Sequence, residues 1–88
     1  MKSFTSRRFR EMYAALPPDV RLRAKRAYHL FRHNPAHPGL NFKKVDDRDN
    51  VYSARVGLGY RALANVDGED AVWFWIGPHS EYDRLLRA

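Results

Sequence analysis

Cysteine is missing from this 88-residue chain, which excludes a disulfide framework, a thiol nucleophile and a thiolate-ligated zinc site, and suits a reducing cytoplasm. Long hydrophobic runs are missing too. The longest, Ala71–Ile76, is far shorter than the roughly 20 residues with which a helix crosses a bilayer. Basic residues in Met1-Lys2-Ser3-Phe4-Thr5-Ser6-Arg7-Arg8-Phe9 have no apolar stretch behind them, so no secretory signal is expected. These absences point to a soluble cytoplasmic protein with no membrane partner. What is present is a core. Hydrophobic residues make up 44% of the chain, with two Trp, five Tyr and five Phe, enough apolar area to fold without metal or disulfide. A chain this short builds one core, so residues 1–88 are expected to form a single domain.

The net charge of +6 is unevenly spread: Met1–Lys44 holds eleven Lys or Arg against two acids, and Val45–Ala88 five against eight. A field segregated in this way favours a polyanion or an acidic protein partner.

Helical spacing of Phe9, Met12, Tyr13 and Leu16 predicts a first helix over about 6–16, with Thr5 as N-cap and Phe4 stapled on Phe9. Pro17-Pro18-Asp19 breaks and restarts the chain. A second helix over about 18–33 follows, with the apolar stripe Val20, Ala24, Ala27, Tyr28, Phe31, until Asn34-Pro35 stops it. From Ala36 the pattern becomes short β-type runs near 41–46, 51–56, 60–66 and 71–76, joined by turn clusters. The expected fold class is α+β: an N-terminal helical hairpin packed on a small antiparallel sheet of about four strands, with a short C-terminal helical turn. Trp73 and Trp75, two apart on the last strand, are expected to share one core face.

The tight turn Gly57-Leu58-Gly59 carries the chemistry. With Leu58 at its midpoint, Arg55 and Arg61 stand opposite each other on one sheet face. Like charges so placed are destabilising, and either a bound anion between them or acids such as Glu81 or Asp83 would relieve them. After Ile76, Gly77-Pro78 turns the chain and places His79 at a strand-to-helix corner, where Ser80-x-x-Asp83 reads as a capping box. Such a grouping suits metal-free RNA cleavage. That reaction needs a base for the ribose 2′-hydroxyl, cations for the dianionic phosphorane and an acid for the leaving 5′-oxygen. His79 and Glu81 are candidates for the proton transfers, Arg55 and Arg61 for charge stabilisation, Lys43 and Lys44 for further RNA contact, and Tyr82 for stacking or hydrogen bonding. No cofactor or metal is implied. His29 and His33 have the spacing of a zinc pair, but no Glu adjoins His29 and no cysteine completes a site. Gly57-x-Gly59 lacks the third glycine of a dinucleotide fingerprint. Ser53 with His79 has no nucleophile-elbow motif around it.

At these residues the sequence resembles the RelE/ParE superfamily of bacterial type II toxins. The resemblance spans nearly the whole chain: the hairpin closed by Leu16-Pro17, the break at Asn34-Pro35, Phe42-Lys43-Lys44-Val45, the hairpin from Arg55-Val56-Gly57 to Tyr60-Arg61, and the ending from Ile76-Gly77 through His79 to Tyr82. It implies a compact α+β domain that cleaves messenger RNA in the ribosomal A site and is neutralised by a short, acidic antitoxin. It casts Arg55 and Arg61 as phosphate-contacting arginines, His79 and Tyr82 as the residues after the final strand, and Lys43 and Lys44 as the lysines some RelE-type members use. The strand that usually precedes the first helix is expected to be short or missing, because Met1–Phe4 leaves it little room. Two alternatives stay open on the same fold: a ParE-type poison of DNA gyrase without nuclease activity, and a non-toxic protein-interaction module.

Overall fold

The computed structural model describes residues 1–87. Five strands form one sheet: β1 (Lys2–Thr5), β2 (Lys43–Asp46), β3 (Val51–Arg55), β4 (Tyr60–Asp67) and β5 (Asp70–Pro78), in the order β1-β5-β4-β3-β2. Helices α1 (Arg7–Ala14) and α2 (Pro18–His33) lie between β1 and β2 in sequence, and α3 (His79–Arg87) follows β5. The meander β2 to β5 is antiparallel, as its short turns require, while β1 runs parallel to β5 with Lys2 opposite Asp70 and Thr5 opposite Trp73. The α+β architecture is the expected one. Its sheet has one strand more than the four read from the sequence, because the short β1 is present at the edge of β5. Among the described residues no helix is long and apolar enough to cross a membrane.

β1 also moves the start of α1. Thr5 belongs to the strand, so the cap falls to Ser6, whose Oγ accepts the Phe9 N–H at 3.0 Å. The Phe4 staple does not form: Phe4 is exposed, and its strand register pairs it with Val72. Helix α2 has the expected bounds and starts on Pro18, whose fixed φ suits a first turn. It buries Val20, Ala24 and Phe31.

The hairpin α1–α2 covers one face of the sheet. Ala54, Ala62, Ala64 and Ala71 keep that face shallow, and Phe31, Leu40, Trp73 and Ile76 fill the space above it. Phe31 meets Phe42 and Trp73 edge-on, with ring centroids 5.0 and 5.2 Å apart, the geometry that aromatic quadrupoles favour. A smaller cluster of Leu63, Trp75 and Tyr82 lies on the opposite face under α3. The two tryptophans therefore do not share a face. Leu63 pairs with Trp75 but Ala64 pairs with Trp73, so Phe74 is an extra residue in β5. This β-bulge reverses the side-chain alternation between the tryptophans.

Helix α3 is longer than the single turn expected. It begins at His79 rather than after Ser80, which puts Ser80 inside the first turn and leaves the capping box unformed. Asp83 is paired instead with His79.

Candidate functional site

The α3 face of the sheet is laid out in rows. Lys43 pairs with Ser53, Ser53 with Leu63 and Leu63 with Trp75; one step along, Arg55 pairs with Arg61 and Arg61 with Gly77. Partners in an antiparallel pair share a face, and so do residues two apart on a strand. The turn puts the two arginines opposite each other, as its midpoint at Leu58 requires. Gly57 adopts φ +61° in this turn, and a Cβ there would lie 2.7 Å from Arg23 Cδ. The positive φ calls for glycine, and any side chain here would also have to displace the Arg23 side chain.

The two arginines are in unlike environments. Arg55 is exposed, and its one hydrogen bond among the described residues is a long one from Nε to the Gly57 carbonyl at 3.4 Å. Arg61 is only 6% exposed. Its Nε donates to Ser53 Oγ at 3.1 Å, its Nη2 donates to the same oxygen, and Nη2 also reaches the Asn41 carbonyl at 3.5 Å. Asn41 holds a left-handed conformation at φ 45°, tolerable for asparagine, which places its carbonyl within that reach. The Arg61 guanidinium carbon stands 5.3 Å from the Tyr82 ring centroid. Burial pushes the Arg61 guanidinium below its ordinary value; neighbouring Tyr82 opposes this and Arg55 adds to it. Among the described residues no carboxylate forms an ion pair with Arg55 or Arg61. The relief that acids such as Glu81 or Asp83 would have given is absent. A buried cation held only by neutral oxygens and a π face is incompletely compensated.

Asn41, Arg55, Gly57, Gly59, Tyr60, Arg61 and His79 line an open cleft of about 290 Å³. His79 is fixed at its rim because its backbone N–H donates to the Gly59 carbonyl at 2.7 Å, joining the start of α3 to the arginine hairpin. Its Nδ1 is 3.1 Å from Asp83 Oδ2, and its Nε2 has no hydrogen-bond partner among the described residues. Tyr82 is buried beneath, 5.5 Å from the His79 ring, with its hydroxyl 3.2 Å from Ser53 Oγ.

Arg55, Arg61, His79 and Tyr82 are thus brought together. Glu81 is not with them: it lines a separate groove with Trp75, Arg84 and Leu85, since two residues along a helix is about 200° around its axis. The lysines are divided. Lys43, opposite Ser53, is on the cleft side of the sheet, while Lys44, opposite Tyr52, is on the hairpin side and pairs with Asp47 at 3.6 Å. His29 and His33 touch edge-on with centroids 4.4 Å apart. Among the described residues no group of three potential ligands gathers around them. Three residues of the site are not given these roles by the sequence, which raises Ser53 only as a nucleophile and Asp83 only as a cap or a neutralising acid. Ser53 stands two residues before Arg55 on an inward-facing row, Asn41 precedes β2, and Asp83 is one helical turn after His79. The i, i+4 spacing of His79 and Asp83 was a readable signal for the last.

The fold, a five-stranded sheet with the α1–α2 hairpin on one face and α3 on the other, is shared with several solved toxins. A chain of the RelB–RelE antitoxin–toxin complex from Methanococcus jannaschii superposes with a TM-score of 0.72 over 92% of this chain and 96% of that one, at 23% identity. YafQ from Escherichia coli gives 0.71 over 92% and 96% at 10% identity. The YoeB/ParE toxin from Agrobacterium tumefaciens gives 0.70 over 90% and 99% at 12% identity. Identities this low speak for the fold. No curated protein matches the sequence. The model of the ParE-like toxin domain matches residues 18–84, which is most of the chain. The protein belongs to that family and so to the RelE/ParE superfamily of toxins.

Proposed function

We propose that this protein is the toxin of a type II toxin-antitoxin pair and a metal-free, ribosome-dependent endoribonuclease acting on mRNA in the A site. The observation that carries this reading is Arg61, a buried guanidinium without a carboxylate partner among the described residues that opens, beside Arg55 and His79, on one cleft. A phosphodiester supplies the missing anion, and bidentate arginine contact suits its geometry. In the reaction the ribose 2′-oxygen attacks phosphorus as its proton is removed. Arg55 and Arg61 stabilise the dianionic phosphorane, and the 5′-oxygen leaves on protonation, giving a 2′,3′-cyclic phosphate and a 5′-hydroxyl. His79 carries one of the two proton transfers through Nε2. Glu81, across the helix, is not assigned the other. Lys43 extends the phosphate track along the sheet, and Tyr82 supports Arg61 from below. The protein works in the cytoplasm as a single domain over residues 1–88, without a cofactor.

Its protein partner is a short acidic antitoxin. Two features support this: the basic N-terminal half of the chain and the likeness to a RelE chain that was crystallised with RelB. The test is primer extension on a reporter mRNA after induction of wild type and His79→Ala, with and without ribosomes. Ribosome-dependent cuts in the wild type and none in His79→Ala are expected; equal cutting by both refutes the assignment of His79. The ParE-like family match favours one other reading, inhibition of DNA gyrase. Intact mRNA together with induction of the DNA-damage response selects that reading.

A further inference from the structure

Ser53 is completely buried on the cleft side of β3, and nothing in its own chemistry places it in the reaction. Its Oγ meets Arg61 Nε, Arg61 Nη2 and the Tyr82 hydroxyl. A hydroxyl offers two acceptor lone pairs and one proton. Two guanidinium N–H groups and the Tyr82 hydroxyl all donate to this oxygen, so its lone pairs are taken up by neighbours and Ser53 is not placed to act as a nucleophile.

We propose that Ser53 is the positioning residue of the anion site. Its hydroxyl chelates the Nε/Nη2 edge of Arg61 and presents Nη1 to a phosphoryl oxygen. Nη1 has no hydrogen-bond partner among the described residues, and the side chain's rotamer freedom is lost on folding rather than on binding. The placement of Ser53 supports this division of labour. It is on the strand next to Arg61, opposite Leu63 rather than Arg61 itself, so the guanidinium must lie diagonally along the sheet to reach it. Arg55 has no such anchor and closes on the anion from solvent.

The inference rests on the proposed phosphodiester-binding role of Arg61, and two readouts keep the two ideas separable. The first is the hydrogen exchange of the Arg61 Nε–H resonance in ¹⁵N-labelled protein without substrate. Wild type and Ser53→Thr, which keeps the hydroxyl, should both be protected, whereas Ser53→Ala and Ser53→Cys should exchange at least about tenfold faster. The second is single-turnover cleavage on mRNA-programmed ribosomes at saturating protein. A slightly misplaced catalytic group costs up to about 100-fold. Ser53→Ala and Ser53→Cys should accordingly lose about 10- to 100-fold in rate with apparent affinity changed much less, and Ser53→Thr should retain activity. The cysteine variant preserves side-chain volume should the alanine variant fail to fold. Protection of Arg61 unchanged in both Ser53→Ala and Ser53→Cys, or cleavage within twofold of wild type, overturns the proposal. If the wild type does not cleave at all, the nuclease reading fails, and exchange at Arg61 still decides whether Ser53 fixes its guanidinium.

Discussion

Replacing Arg61 by methionine should make the protein more stable and inactive. Arg61 is 6% exposed and has no carboxylate partner among the described residues. The effective penalty for burying an ion is several kcal/mol, and the facing Arg55 adds about 0.2–1 kcal/mol of repulsion. Against this stand hydrogen bonds to Ser53 and Asn41 and the Tyr82 ring, worth about 1.5–3 kcal/mol for a charged hydrogen bond and about 0.5–2 kcal/mol for the cation–π contact. Methionine keeps the length of the side chain and fills irregular space. Ser53 retains Tyr82 as a partner. Replacement of buried ionic groups by well-packed hydrophobic residues of similar volume is often neutral or stabilising by about 1–4 kcal/mol. With three hydrogen bonds lost the lower end applies, about 1 kcal/mol, which for a domain of this size raises Tm by about 4–8 °C. Thermal unfolding followed by circular dichroism measures it, and primer extension on ribosomes reports the loss of cleavage. A fall in Tm of more than about 5 °C would show that the guanidinium is a net stabiliser of the fold. The argument that it awaits an anion would then lose its basis.

Arg55→Lys should cleave within about fivefold of wild type, whereas Arg61→Lys should lose at least about tenfold, because an ammonium cannot chelate Ser53 through two N–H groups; single-turnover rates compare them. Lys43→Ala should lower affinity for a short RNA and reduce the slope of log K against log salt by about 1, and Lys44→Ala should leave both unchanged. Titration of a fluorescent oligonucleotide at several salt concentrations separates the two. Ser6→Ala should destabilise the protein by about 1 kcal/mol through loss of the α1 cap, read from urea unfolding, with cleavage by the folded protein intact.

The fold was legible where local chemistry and tertiary context agree. Proline and an early acid fixed the start of α2, Asn34-Pro35 fixed its end, and the glycine turn fixed the arginine register. β1 was harder to see because four residues carry little periodicity and its pairing is parallel and distant, to a strand some 70 positions away in sequence. That omission misassigned the α1 cap by one residue. The site divides in the same way. Arg55, Arg61 and His79 announce themselves by type and by position near turns. Ser53 does not, since a serine in a strand becomes informative only once its neighbours are known to be buried. Glu81 was selected for its closeness in sequence to His79, but the helix carries it to the other side. Asp83, one turn on, is the carboxylate that meets the imidazole.

The bulge at Phe74 gives β5 two parities. Before it, odd-numbered residues such as Ala71 and Trp73 face the hairpin; after it, Trp75 and Gly77 form the floor beneath α3. One strand thereby serves two compartments that can vary independently. Changes around Trp73 are felt by the scaffold, and changes around Trp75 by the cleft. The bulge itself has no such freedom. Were Phe74 drawn into regular pairing with the residue count unchanged, Trp75 would turn toward the hairpin and the floor on which Tyr82 and Arg61 rest would be withdrawn.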